Sequence, residues 1–340
     1  MFSKVSIISS IYILVIIAIL LHNHALFSQA SNFTKPKFEI DELGMIPIFT
    51  YHKITSQDNL MNRKPSSLLK DLDYLRTNNY YLITVDELYR GYIDAPHGYL
   101  PAVLSFDDSH VSQFKYLDQN KIDPNSAIGI LENYKIKYPK FRVRAIFFVT
   151  PCQRGQNELF GQKQWTKKKL IFLLENGYEI GNHSCSHPSF QTTSIDKIQA
   201  DLYLSQRKIQ EFLPKFKYNS LATPYGSYPK RKDWSLLAKS SNRKFTYNHR
   251  LIFSYSNRMS LSPFSKNFNL QRVSRLHGFE EALISYREKV QSGEWKPYVS
   301  DGNPNTITIP KSRRDDLKNP SIQNLILAPN GLDNYSWKLY

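Results

Sequence analysis

Two cysteines in 340 residues are too few for a disulfide framework, which excludes a small scaffold held together by bridges. The chain also lacks an internal sequence repeat, which excludes a repeat array, and it carries no recognisable nucleic-acid-binding motif. Acidic residues are in deficit: 29 Asp and Glu stand against 45 Lys and Arg, a formal charge of +16 with a pI near 9.6. Such a balance favours anionic surfaces such as nucleic acid, phospholipid headgroups or acidic envelope polymers. The cations are nevertheless spread from end to end, with small clusters only at Lys167–Lys169 and Lys311–Arg314. They read as a solvated basic surface, and no nucleic-acid partner is expected.

Aromatic residues are plentiful at 14%, so the body of the chain is not disordered. At the amino terminus, Lys4 precedes Ile11–Leu21, an unbroken apolar run without a polar stripe, and Ser28-Gln29-Ala30 has the small residues of a processing site. Residues 1–30 read as an export segment. They are either a cleaved signal peptide or, with Val5–Ser10 added, a membrane anchor near the roughly 20 residues that a bilayer requires. The two readings stay open. Both place the protein outside the cytoplasm, as a secreted, periplasmic or anchored protein, and association with the membrane would run through this segment. Residues 31–44 read as a polar connector, 45–294 as one large domain, and 295–340, rich in Asn, Pro and charge, as a C-terminal extension of unknown role.

Within 45–294, strand-like and helix-like stretches alternate. Met45–Tyr51 is the first buried strand, followed by strands at Tyr80–Thr84, Ala102–Phe106, Arg144–Thr150, Tyr178–Gly181, Ser220–Thr223, Phe245–Asn248 and Leu270–Ser274. Helices are expected between them, one of them over Ser194–Phe212 with Ser194 as its cap. The alternation predicts a mainly parallel α/β fold, and about seven units predict a barrel.

The strand Ala102–Phe106 stops at two adjacent acids, Asp107 and Asp108, where parallel α/β proteins place their chemistry. A second polar cluster, His183-Ser184-Cys185-Ser186-His187, also follows a strand and offers two imidazoles four residues apart. One carboxylate and two histidines form a facial metal set with open positions for water and substrate. Cys152 follows another strand, so Cys152 and Cys185 can pair at this rim if the compartment is oxidising.

These motifs together resemble those of the polysaccharide deacetylases, the NodB-homology or chitin-deacetylase-like carbohydrate esterases. The resemblance rests on SFDDS at 105–109, AIFFV at 145–149, HSCSH at 183–187 and TPYG at 223–226, and covers about Met45–Glu288. It implies a distorted (β/α)7 barrel and a divalent cation, most often zinc. It also implies hydrolytic removal of N-acetyl groups from a polysaccharide. Carried onto this sequence, Asp108, His183 and His187 would hold the metal, Asp107 would be the general base toward a metal-activated water, and the Tyr225 backbone N–H would stabilise the developing oxyanion.

Three departures stand out. Ser109 replaces a Gly, and Ala222 stands where many relatives have an Arg that orients the base, so another group, such as Arg272, must hold Asp107. The late Leu-x-His motif that supplies the general acid has no clear match. His52, at the end of the first strand, and His277 compete for that role, with His52 preferred because one branch of the family looks circularly permuted. His110 and His249 are weaker candidates. The alternative function is a glycan-binding protein on the same barrel that has lost turnover.

Overall fold

Short apolar runs become strands because each is buried on both faces, as a parallel sheet wrapped by helices requires. The protein is seen here in a computed structural model that describes residues 38–118, 120–240, 245–319 and 325–328. The expected export segment lies outside those residues. Among the described residues, no helix is long and apolar enough to cross a membrane.

In chain order the elements are β1 (Ile48–Tyr51), β2 (Lys53–Ile54), β3 (Asn62–Arg63), α1 (Pro65–Thr77), β4 (Tyr80–Leu82), α2 (Val85–Arg90) and β5 (Leu100–Asp107). Then come α3 (Ala127–Lys137), β6 (Ile146–Val149), α4 (Thr166–Glu175), β7 (Glu179–Asn182), α5 (Ile195–Gln210), β8 (Ser220–Ala222) and α6 (Ser235–Ala238). The last are β9 (Leu251–Phe253), β10 (Leu276–His277), α7 (Glu280–Gln291), β11 (Ile307–Pro310) and β12 (Leu325–Ala328).

The main sheet runs β10-β1-β5-β6-β7-β8-β9, with β4 pairing the start of β5. Every one of these pairings is parallel. The edge strand β9 bonds onward to the segment leading into β10: Ile252 N–H donates to Leu270 O (2.8 Å) and Val273 N–H to Ile252 O (2.8 Å). As β10 pairs with β1, the sheet curls into the expected distorted (β/α)7 barrel. Alternate side chains divide between its faces. Ile48, Val103, Ile146, Phe148, Leu251 and Phe253 join one buried cluster on the enclosed face, and on β5 the same face continues through Ser105 to Asp107.

Two strand expectations need correction. Phe245–Asn248 is not a strand; Phe245 packs against the cluster around Ile198, Leu202 and Leu221, while β9, whose three side chains are fully buried, takes the place in the sheet. Leu270–Ser274 supplies backbone bonds to β9, but the strand that pairs with β1 begins only at Leu276. Ser194 occupies the start of α5 without capping it through its side chain.

Both ends of the described chain pack on the barrel. Leu43 is buried with Ile307, Ile309 and Leu317, and Glu42 accepts hydrogen bonds from Tyr298 OH (2.9 Å) and Thr308 N–H (2.8 Å).

Candidate metal centre and active site

The carboxy-terminal rim of the barrel collects the predicted groups. Asp107 ends β5 fully inside the sheet, and the chain then turns through left-handed backbone at Asp108 (φ 77°) and Ser109 (φ 46°). Ser109, where the resemblance predicts glycine, secures that turn. Its buried hydroxyl donates to Asn157 O (2.9 Å) and accepts from Thr150 N–H (3.2 Å), and the Thr150 hydroxyl donates to Asp108 O (3.0 Å).

The histidine turn is held from below and outside. Asn182, the last residue of β7, accepts from Ser184 N–H (2.9 Å) and from the Ser205 hydroxyl (2.7 Å). Its amide donates to His249 Nε2 (3.1 Å), whose Nδ1–H donates to Leu237 O (2.7 Å). Burial lowers His249 to about 4, so the ring is neutral and structural. Asp201 on α5 accepts from Cys185 N–H (2.7 Å) and Ser186 N–H (3.1 Å). Cys152 and Cys185 form a disulfide, which ties the loop after β6 to this turn and takes Cys185 out of the set of metal donors.

Asp108, His183 and His187 converge: one donor atom from each lies within 4.8 Å of the others. His183 Nε2 is 3.4 Å and His187 Nε2 3.3 Å from the same Asp108 Oδ1. His183 Nδ1–H donates to Ala222 O (2.8 Å), which in the neutral ring turns the Nε2 lone pair toward that carboxylate. Lone pairs facing each other at this range repel unless a positive charge stands between them. Burial alone would lower His183, yet the charges of Asp107 and Asp108 outweigh it and raise the ring. The donor set and its electrostatics therefore fit a divalent cation.

Asp107 stands beside this set, its Oδ2 3.8 Å from His183 Nε2. Both its oxygens are engaged by Arg275, Nη1 to Oδ1 and Nη2 to Oδ2, each at 2.8 Å. Burial raises the carboxyl, but Arg275 and the histidines prevail and hold it below its usual range. Arg275 thus occupies the role expected of Arg272, whose guanidinium instead lies over Tyr228 and Trp234 at 5.6 and 5.1 Å from the ring centres. Arg275 is hidden in the sequence because the strand-like stretch Leu270–Ser274 stops one residue before it. With β10 at Leu276–His277, Arg275 leads into the strand beside β1 and reaches Asp107 across the enclosed face.

His52 follows β1 and is buried. Burial lowers it, while Asp107 and Asp108 act in the opposite direction. His277 lies on the same rim against Tyr255, the two rings tilted by 41° with their centres 3.8 Å apart. It is lowered to about 4 by burial first and then by the charges of His52 and Arg275. Of these two histidines, His52 is the one on which the charges of both aspartates act. Gln113, a further residue that the sequence did not disclose, donates one amide nitrogen to both His52 O (2.7 Å) and Asp107 O, fixing the ends of β1 and β5 together. His110 is engaged elsewhere, with Ser112 Oγ (2.8 Å) and Gln156 Oε1 (2.9 Å).

Tyr225 has left-handed backbone (φ 57°), is 70% exposed and places its ring 4.5 Å from that of His187. Gly226 follows at φ 62°, and a Cβ there would come 2.6 Å from Tyr255 Cβ, so the turn needs glycine. The Ser227 hydroxyl accepts from Phe190 N–H (2.9 Å) and joins this turn to the histidine loop.

Two solved structures share the fold. One is the Streptococcus pyogenes deacetylase PplD in complex with acetate, at 19% identity and TM-score 0.53, covering 71% of this chain and 97% of that one. The other is IcaB from Ammonifex degensii, at 16% identity and TM-score 0.53, covering 73% and 97%. Residues 101–240 match the family model for polysaccharide deacetylase. That interval contains Asp107, Asp108, His183, His187 and the Pro224–Gly226 turn, so the stretch of the chain that bears the candidate site is the stretch that matches the polysaccharide deacetylase family.

Proposed function

We propose that the protein hydrolyses N-acetyl groups from an extracytoplasmic polysaccharide with a zinc ion as cofactor. The observation that carries this reading is the meeting of Asp108, His183 and His187 within 4.8 Å, beside an aspartate that Arg275 keeps ionised. A cation held by those three residues supplies Lewis acidity, acidifying water and polarising the amide carbonyl. Asp107 takes the proton from the attacking water as its oxygen bonds the acetyl carbon. His52, across the rim and within the field of both aspartates, gives a proton to the sugar nitrogen as the C–N bond breaks, leaving acetate and a free amine. The Tyr225 backbone N–H donates to the acetyl oxygen as it becomes negative.

Export rests on the apolar run Ile11–Leu21 and on the Cys152–Cys185 bridge, which oxidising compartments favour. The non-catalytic glycan-binding alternative drew on the absent Arg at Ala222 and on the unmatched general acid; Arg275, just before β10, supplies the guanidinium. The test is acetate release from N-acetylglucosamine oligomers, with Asp107→Asn and His183→Ala as controls. Release by the wild type and its loss in both variants supports the reading. Glycan affinity without any release by the zinc-loaded wild type rejects it in favour of the binding alternative.

A further inference from the structure

Folding leaves few polar atoms buried without a partner, and those that persist point to a ligand or to strain. Among the described residues the buried hydroxyls without a hydrogen-bond partner belong to Tyr218, Tyr228 and Tyr255. Tyr218 and Tyr228 each lie beside another hydroxyl, those of Ser205 and Thr223. Tyr255 has no such neighbour, although it stands among the polar groups of the rim. Its ring is 5.8 Å from that of His52 and 3.8 Å from that of His277, and the Arg275 guanidinium lies 5.6 Å from its centre. The backbone at Gly226 is drawn against its Cβ and closes the other side. The ring is partly exposed while its hydroxyl is buried. Burial, and next the charge of Asp107, push the phenol well above its usual range, so at neutral pH it carries a proton to donate.

We propose that Tyr255 is a further catalytic residue of this hydrolysis, its hydroxyl hydrogen-bonding the oxygen of the N-acetyl group while the C–N bond is broken. A scissile amide must lie between the base Asp107 and the acid His52, and Tyr255 borders that interval. The inference rests on the deacetylase reading above. It explains why an unpartnered hydroxyl is kept in a buried position: the substrate completes it.

The test is Tyr255→Phe in the zinc-loaded full chain, with acetate release measured beside the wild type and the thermal midpoint measured for both. The hydroxyl has no partner among the described residues, so the midpoint should stay or rise. Loss of a donor that acts at the transition state should lower kcat about 100-fold with KM little changed. Values of kcat and KM both within twofold of wild type would overturn the inference, as would a rise in KM alone, which marks a contact made equally in the ground state. A wild type that releases no acetate would instead remove the deacetylase reading, and this inference with it.

Discussion

A carboxylate enclosed at the end of a barrel strand is costly to ionise unless a cation stands against it. Asp107 has Arg275, itself fully buried, with two parallel bonds of 2.8 Å. Replacing Arg275 by Met removes one partner and leaves the other charge uncompensated, so urea unfolding should show a loss of about 3–5 kcal/mol. The double variant Asp107→Asn with Arg275→Met should recover part of that loss, because both charges are gone. Equal destabilisation by the single and double variants would show that the pair is not what matters at these positions. At this scale the sequence was legible where chemistry-bearing residues cluster locally, as in Asp107-Asp108 and His183 to His187. It was illegible where a partner comes from far along the chain: Arg275 is separated from Asp107 by 168 positions, and Tyr255 and Gln113 belong to no motif.

The elements that present the site are short strands, and their turns need fixing. The histidine turn is held by Asn182 from the strand, by Asp201 from α5 and by the Cys152–Cys185 bridge across 33 positions. Replacing both cysteines by Ser should lower the unfolding free energy by about 2–4 kcal/mol, measured by urea titration against the oxidised wild type. An unchanged midpoint would show that the two hydrogen-bonding residues suffice. Asp201→Ala removes the acceptor for Cys185 and Ser186 N–H and loosens the ligand-bearing turn. Zinc affinity measured by calorimetry should fall about 10-fold or more. The order of strands and helices could be read from apolar runs because both faces of each strand are buried. The exceptions have a physical cause. Phe245 and Tyr247 are as apolar as a strand yet pack outside the sheet against Ile198 and Leu202. β10, only two residues long, is preceded by a buried arginine that an apolar pattern does not predict.

At the scale of the whole molecule, the segment before β1 and the stretch after α7 pack together on the barrel, with Glu42 at their junction. Burial, and next the charge of Asp301, raise Glu42 from 4.5 to about 8. Between those values the folded protein holds a proton that the unfolded chain has released, so this group makes stability fall as pH rises through that window. Glu42→Gln should flatten that fall in unfolding free energy between pH 5 and 8, whereas an unchanged slope would assign it to other groups. The sequence showed only polar character in this junction, because Leu43 and Ile307 find each other across 264 positions that carry no shared pattern. The fold, the basic surface and the metal triad bear together on one claim, that a cation at Asp108, His183 and His187 serves hydrolysis of an acetylated glycan. The most direct measurement is acetate release from N-acetylglucosamine oligomers by one preparation assayed as purified with zinc, after chelation, and after zinc is restored. The account predicts release, its loss and its return, with one zinc bound per chain in the active states. Release that persists at full rate in the chelated protein, with zinc shown to be gone, would contradict it.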